Sequence, residues 1–149
     1  MTKNSELPLN EIQNALIQEK LDGWLLYDFR GSNPVARSIA KLADHITTRR
    51  WYYFIPAKGS PVRVVHAIEA TNLDHLPGEK IIFRTWQDLR SALTRGLKGA
   101  KKVAMEYSPE NDVPYISLVD AGTIELLRST GAEVVSSADL VQMFEARWT

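Results

Sequence analysis

Two carboxylates stand at positions from which they could act together. Asp28 follows the apolar run of residues 24–27, and Glu106 ends the run of residues 102–106. If these runs form parallel neighbouring strands, both side chains lie at the same edge of a sheet, where open α/β proteins bind ligands. Paired carboxylates at such an edge can hold Mg²⁺ for phosphodiester cleavage. The alternative is structural: Asp28 makes a turn, and Glu106 precedes the break at residues 108–109.

A second candidate site is the loop of residues 30–34, which leads into a predicted helix. The free N–H groups at a helix start and the helix dipole favour an anion, and Arg30 could assist. The pattern therefore indicates a small-anion site, with simple capping of the helix by Asn33 as the alternative.

Arg49 and Arg50 stand directly before the aromatic run of residues 51–54. Arginine and aromatic side chains are common together in protein interfaces. The run also fits a strand that is buried on both faces, which needs no partner.

Other common catalytic patterns are missing from the sequence. Because it contains no cysteine, a thiol nucleophile, a disulfide framework and cysteine zinc sites are excluded. The three histidines, His45, His66 and His75, form no His-x-x-x-His pair that would clamp a metal on a helix. Neither a Gly-x-Ser-x-Gly elbow nor a Gly-rich phosphate loop occurs. We therefore predict no catalytic residue and no metal ligand in this chain.

The composition predicts one globular domain over residues 1–149. The chain is 44% hydrophobic and 24% charged, near globular averages. Its 18 Lys and Arg balance 18 Asp and Glu, which gives no basic footprint for nucleic acid. No apolar run approaches the length of a membrane span, and the N-terminus has no apolar signal segment. Together with the lack of cysteine, this predicts a cytoplasmic protein that binds neither nucleic acid nor membrane.

Hydrophobic periodicity predicts the elements that position the candidate residues in the first half of the chain. A helix starts near residue 7 and precedes the strand at residues 24–27, and Asn33 caps a second helix. Residues 50–55 and 61–66 are β-rich runs joined by a short turn that contains glycine. They predict an antiparallel hairpin.

The second half alternates strands with helices. After a possible short helix in residues 67–75, the predicted strands are residues 80–83, 102–106 and 133–135. The helices between them start at the capping residues Thr85 and Asp120, and a last helix starts at Ser136 or Ser137. The alternation favours parallel pairing with right-handed crossovers, and the hairpin adds antiparallel strands. We therefore predict an α/β fold with a mixed sheet of about six strands flanked by helices.

The last predicted helix has no stop signal. Leu140, Phe144 and Trp148 form one apolar face that reaches the final residue, Thr149, and no glycine cap follows. A natural C-terminus can end in this way, but the pattern favours a chain cut from a longer protein.

Several segments resemble the N-terminal domain of the creatinase/prolidase family. They are residues 21–27 (LDGWLLY), residues 101–107 (KKVAMEY), residues 117–120 (SLVD) and residues 131–141 (GAEVVSSADLV). Each is mostly an apolar strand with a cap, but their order and spacing agree over nearly the whole chain. The resemblance implies a ribonuclease H-like topology for the predicted sheet.

The resemblance also implies a larger parent protein. Xaa-Pro aminopeptidases, prolidases and creatinase carry this domain ahead of a pita-bread catalytic domain. In the peptidases, that second domain holds two divalent metal ions (Mn, Co or Zn) through two Asp, one His and two Glu. Those motifs are not in this sequence, so we expect the catalytic domain and its metals downstream of residue 149. The N-terminal domain of the family helps to form dimers, and its loops border the active site of the partner subunit.

By this resemblance, the chain is a non-catalytic domain that serves dimerisation and substrate gating next to its own catalytic domain. The candidates for the border with a peptide substrate are loop residues Asp28, Arg30 and Asn33, followed by Arg49 and Arg50. The loop departs from the Asn-x-x-Tyr-Leu-Thr-Gly type common in prolidases. This leaves open whether the parent acts on Xaa-Pro peptides, acts on creatine-like compounds or has lost activity. A free-standing small-anion-binding module and a ribonuclease H-like nuclease are the alternatives.

Overall fold

The computed structural model describes residues 6–145. The α-helices in this range are α1 (Leu9–Gln18), α2 (Pro34–Ile39), α3 (Trp86–Leu97), α4 (Ala121–Arg128) and α5 (Ala138–Phe144). The strands are β1 (Gly23–Asp28), β2 (Trp51–Pro56), β3 (Val62–His66), β4 (Glu79–Phe83), β5 (Lys102–Met105) and β6 (Glu133–Ser136). No helix of the described range is long and apolar enough to cross a membrane. The predicted helix face at Trp148 and the chain end at Thr149 lie outside it.

All six strands of this range form one sheet in the order β4-β3-β2-β1-β5-β6. β2 runs antiparallel to both of its neighbours, whereas β3 and β4, β1 and β5, and β5 and β6 pair in parallel. Five strands therefore run in one direction and β2 alone is reversed. This confirms the predicted mixed sheet and its hairpin, which is formed by β2 and β3.

Two details differ from the sequence prediction. The strands of the second half are not contiguous, because β4 pairs with β3 at one edge of the sheet while β5 and β6 lie at the other. Within residues 67–75, the predicted helix is only a 3₁₀ turn at Ala67–Glu69 followed by further turns. Here Glu69 uses its carboxylate to bind the segment before β2, which ties the turn to a distant part of the chain.

Helices cover both faces of the sheet and create two apolar cores. One core contains side chains of α1, α2 and α5, and the other contains side chains of α3 and α4. All six residues of β1 are buried. Trp24 and Leu26 belong to the first core, and Leu25 and Tyr27 belong to the second. Burial on both faces explains why this strand is apolar without alternation.

Side-chain caps start three helices as predicted, at Asn33, Thr85 and Asp120. The start of α5 is different. Of the two predicted capping residues, Ser137 is fully buried and its hydroxyl makes no cap; it donates instead to the Glu106 carboxylate at 2.7 Å. Ser136 Oγ accepts from the N–H of Ala138, the first residue of α5, at 3.1 Å. A buried carboxylate requires donors, and this requirement takes precedence over capping by Ser137.

Candidate functional site

The sheet brings Asp28 and Glu106 to the same edge. β1 and β5 are parallel neighbours, with Trp24 opposite Ala104, and each carboxylate residue stands at the carboxyl end of its strand. After β1 the chain passes to α2 on one face of the sheet, and after β5 it passes to α4 on the other. The chain thus leaves these two neighbouring strands towards opposite faces of the sheet, and α/β proteins bind ligands at positions of this type.

Asn33 joins the two carboxylates. Its backbone N–H donates to Asp28 Oδ1 at 2.7 Å, and its side-chain Nδ2 donates to Glu106 Oε1 at 2.9 Å. The same Nδ2 donates to the Tyr27 carbonyl at 2.9 Å, while Asn33 Oδ1 accepts from Ala36 N at 3.1 Å and caps α2. The orientation of the amide is thereby fixed, since its oxygen must accept and its nitrogen must donate.

The Glu106 carboxylate is completely buried and accepts hydrogen bonds from three side chains. Besides Asn33, Trp24 Nε1 and Ser137 Oγ donate to Oε2 at 2.8 and 2.7 Å. Burial raises the pKa of Glu106, and the three donors oppose that rise. Trp24 and the oriented Asn33 amide can only donate, but the Ser137 hydroxyl can also accept. The site therefore accommodates both the ionised and the protonated acid.

Asp28 fastens the loop of residues 29–32. Its Oδ2 accepts from Gly31 N at 2.9 Å, its Oδ1 accepts from Asn33 N, and Arg37 on α2 forms an ion pair with it at 3.6 Å. The N–H groups that would attract a small anion at this loop are thus already bound to the protein's own carboxylate. This observation favours the capping interpretation over the anion-binding module.

Phe29 and Arg30 form the tip of this loop. Phe29 is 44% exposed, and Arg30 is exposed with a φ of 57°, a left-handed conformation that side-chain-bearing residues rarely adopt. Asp28 and Asn33, on either side, are both fully buried. Among the three predicted border residues of this loop, Asp28 and Asn33 are therefore anchors, and Arg30 has its side chain available for contact.

Arg49 reaches the same edge, because β2 begins where β1 ends. Its side chain is exposed and its backbone is fixed by Glu69, which accepts from Thr48 N at 3.0 Å and from Arg49 N at 2.8 Å. Burial would raise the pKa of Glu69, but hydrogen bonds from Thr48, Arg49 and Asn72 outweigh it and lower the pKa to about 2. An ionised Glu69 therefore holds Arg49 in place at neutral pH.

Arg50 belongs to a separate polar group on the α4 side. Its side chain is half-buried. Burial raises the pKa values of Tyr27 and Tyr52, and the positive charge of Arg50 opposes that rise. The two tyrosine rings lie 5.1 Å apart, and the Tyr27 hydroxyl donates to Asp120 Oδ1 at 3.3 Å. A cavity of about 350 Å³ beside this group is lined by Tyr27, Phe29, Ser32, Ser117, Leu118, Val119 and Asp120.

The arrangement does not favour a nuclease. The carboxylate oxygens of Asp28 and Glu106 already accept hydrogen bonds from donors within the protein, and these bonds hold the loop and strands of this edge together. Residues 6–145 also contain no group of three or more His, Cys, Asp or Glu side chains placed to hold a metal ion. The structural interpretation of both carboxylates is therefore preferred.

Sequence reasoning missed the partners that surround Glu106. Trp24 was identified only as an apolar strand residue, and Ser137 only as a helix cap. Their one sequence signal is chemical: a glutamate that ends an apolar strand needs donors, and indole and hydroxyl groups in other buried segments can supply them. Glu69 carried no such signal, because its segment had no clear periodicity.

Replacing Asp28 with asparagine is expected to loosen the loop. One asparagine oxygen cannot replace both carboxylate oxygens, so Gly31 N or Asn33 N loses its acceptor and the free energy of unfolding falls by about 1–2 kcal/mol. Amide hydrogen exchange should show faster exchange at residues 31–33. Asp44→Asn, at an exposed turn, is the matched control and should leave exchange there unchanged. Unaltered protection in the Asp28 variant would contradict the anchoring role.

Comparison with known proteins finds similarity only at the level of structure. No protein-family model matches the sequence. No curated protein matches it either.

Solved structures match nearly the whole chain. The creatinase/prolidase N-terminal domain of an X-Pro dipeptidase from Streptococcus pyogenes matches with a TM-score of 0.66 and 13% identity, covering 90% of this chain and 95% of that one. A proline dipeptidase from Streptococcus pneumoniae matches with a TM-score of 0.65 and 19% identity, covering 93% and 97%.

A longer protein matches over only part of its length. The prolidase from Pyrococcus horikoshii has a TM-score of 0.59 and 18% identity, and the match covers 90% of this chain but 33% of that one. This chain therefore spans about a third of that prolidase. The chain has the fold of the creatinase/prolidase N-terminal domain, as its sequence predicted.

Proposed function

We propose that this chain is the non-catalytic N-terminal domain of a metal-dependent Xaa-Pro peptidase-like hydrolase, where it serves dimerisation and substrate gating. The observation that carries the proposal is the fold match over 90% or more of the chain to N-terminal domains of Xaa-Pro dipeptidases. Catalysis would come from a pita-bread domain with its own divalent metal (Mn, Co or Zn). The proposed compartment is the cytoplasm.

The loop of residues 29–32 supports the gating part of this proposal. It is anchored from inside by Asp28 and Asn33, and it presents an aromatic ring and a guanidinium at its tip. A short peptide carries a terminal carboxylate, and arginine binds carboxylates through two parallel hydrogen bonds. A fixed loop of this kind loses little conformational entropy when a peptide binds, because it is already ordered. Since it also keeps its shape, it would restrict which peptides fit.

The first test of the proposal is activity of the pure chain. Supplied with Mn²⁺ and an Xaa-Pro dipeptide, the 149-residue protein is expected to show no hydrolysis above a metal-free blank. Metal-dependent turnover by a homogeneous sample would overturn the proposal. The reading frame after residue 149 supplies an independent check, since it should encode two Asp, one His and two Glu in a second domain.

The second test uses the parent enzyme. Arg30→Ala is expected to raise KM for an Xaa-Pro dipeptide about tenfold with little change in kcat, the effect of losing one charge-assisted contact. Arg95→Ala, an exposed arginine in the last turn of α3 at the opposite edge, is the matched control and should leave KM unchanged. Equal KM values for wild type and Arg30→Ala would remove Arg30 from the substrate border.

A further inference from the structure

A groove opens at the amino end of the sheet, on the side opposite to the loop of residues 29–32. Its three walls are residues 20–22 after α1, residues 56–60 at the turn between β2 and β3, and residues 97–101 between α3 and β5. The volume of the groove is about 680 Å³. Small-molecule sites in proteins have volumes of roughly 300–1,000 Å³, so the groove is large enough to hold such a ligand.

Four lysines, at least one from each wall, line this amino-end groove: Lys20, Lys58, Lys98 and Lys101. All four are exposed. Among the described residues that line the groove, Asp22 is the only acid. Lys98 forms an ion pair with Glu79 at 2.8 Å, but the other three lysines form none with any residue of the range 6–145. The groove therefore holds an excess of positive charge, although the net charge of the whole chain is zero.

Hydrogen bonds fix the three walls relative to one another. Asp22 joins the first wall to the third, because its Oδ2 accepts from the N–H groups of residues 101–102, both at 2.9 Å. Its backbone carbonyl accepts from Ala57 N at 2.8 Å, which joins the second wall. Gln13 Nε2 on α1 also donates to two carbonyls of the second wall, at 2.9 Å each. The lysines thus stand on walls that are already ordered before a ligand binds.

The charge in the groove is not compensated from within. The Asp22 carboxylate is bound to backbone N–H groups, so it forms no ion pair with a lysine of the described range. Like charges that face one cleft repel one another, and the low dielectric of the cleft walls focuses their field. An anion in the groove would relieve this repulsion and would be concentrated there.

The residue types indicate phosphate rather than carboxylate as the ligand group. Arginine binds carboxylates through its planar fork, and none is present among the described residues that line the groove. Lysine is a compact point charge and a common phosphate ligand, which requires no single direction of approach. Three unpaired ammonium groups match several negative charges better than one. The groove therefore suits a ligand in which phosphate groups are linked.

We propose that the amino-end groove binds a small molecule that carries two or more linked phosphate groups, held among Lys20, Lys58 and Lys101. Ile17, which is 50% exposed, and the half-buried Leu21 provide an apolar wall for the rest of the molecule. Nucleic acid also has linked phosphates, but a chain of zero net charge lacks the basic footprint of a nucleic-acid protein. The site goes beyond the proposed function and does not depend on it, because it lies at the other end of the sheet from the proposed substrate border.

Tripolyphosphate is the probe for this site. In isothermal titration calorimetry at matched ionic strength, the 149-residue chain should bind one tripolyphosphate, about tenfold or more tightly than inorganic phosphate. Lys20→Gln with Lys101→Gln should weaken the binding of tripolyphosphate about tenfold or more, since two charge-assisted contacts are lost. Both side chains are exposed, so the variant should fold, and thermal melts by circular dichroism will show whether it does.

Two arginines outside the groove provide the matched control. Arg84→Gln with Arg90→Gln removes the same charge from exposed positions before and within α3, and it should leave the affinity for tripolyphosphate unchanged. Absence of saturable binding by wild type would overturn the inference. So would equal weakening in the groove variant and the control, which would mean general attraction to a charged surface. An oligothymidylate strand that binds more tightly than tripolyphosphate and is weakened by the groove variant would assign the groove to nucleic acid instead.

Discussion

Glu106→Ala is expected to lower the free energy of unfolding by about 4 kcal/mol, one of the two largest effects of a single substitution that we foresee. The change leaves Trp24 Nε1 and the Ser137 hydroxyl without their acceptor and opens a cavity between β5 and α5. Asn33 loses one of the two acceptors of its side-chain amide. Equilibrium unfolding in urea measures the loss.

Glu106→Gln separates hydrogen bonding from volume. If the glutamine oxygen takes the place of Oε2, the glutamine NH2 group faces the NH2 group of Asn33. In the other orientation, the glutamine NH2 group faces the Trp24 indole N–H. Either orientation sets two donors against each other, so we expect a loss of about 1–3 kcal/mol at neutral pH. The Ser137 hydroxyl can adapt in both cases, because it can accept as well as donate.

Wild type and Glu106→Gln should differ in how their free energies of unfolding depend on pH. The pKa of Glu106 is raised in the folded state above its ordinary value of 4.5, so the folded protein holds the proton more tightly than the unfolded chain does. Stability therefore increases as pH falls from the folded pKa towards 4.5, and decreases as pH rises through that window. Glutamine does not titrate, so the stability of wild type relative to Glu106→Gln should rise as the pH is lowered from neutral.

Glu125→Gln is the matched control for this comparison. Glu125 is an exposed residue of α4, and its substitution should change stability by less than about 0.5 kcal/mol. Its stability difference from wild type should also stay flat with pH. A flat difference for Glu106→Gln, or a Glu106→Ala variant as stable as wild type, would contradict the role assigned to this carboxylate.

The fold was predictable because its signals are local. The unalternating run at residues 24–27 indicated a strand buried on both faces, and Thr85 with Asp88 indicated a capping box that the structure contains. The same holds for the hairpin of β2 and β3, whose turn residues lie between two β-rich runs. Each of these features is decided within a few residues of sequence.

The arrangement around Glu106 was not predictable, because its partners are remote in sequence. Trp24 is 82 residues away from Glu106, Asn33 is 73 away and Ser137 is 31 away. Sequence placed Asp28 and Glu106 at one edge, but it could not show that Asn33 joins them or that Ser137 donates to Glu106 instead of capping its helix. Such choices depend on which donors the tertiary fold brings to a buried charge, and a single sequence does not record that.

Gly78→Ala is expected to cost about 4 kcal/mol, and the reason lies in how β4 is fixed to β3. Gly78 has a φ of 117°, and a Cβ there would lie 2.2 Å from the Pro61 carbonyl oxygen, which is backbone and cannot move aside. That oxygen also accepts from Glu79 N at 3.1 Å, and the Gly78 carbonyl accepts from Arg63 at 2.6 Å.

Gly59→Ala separates the close contact from the backbone conformation. Gly59 has a φ of 99° but nothing within 4 Å of its added Cβ, so its variant should lose only the conformational cost of about 1–2 kcal/mol. The free energies of unfolding of Gly78→Ala and Gly59→Ala, measured in urea, should differ by the cost of the contact with Pro61. Equal losses would mean that this contact does not constrain the turn. The register of β4 would then depend on its ladder with β3 alone.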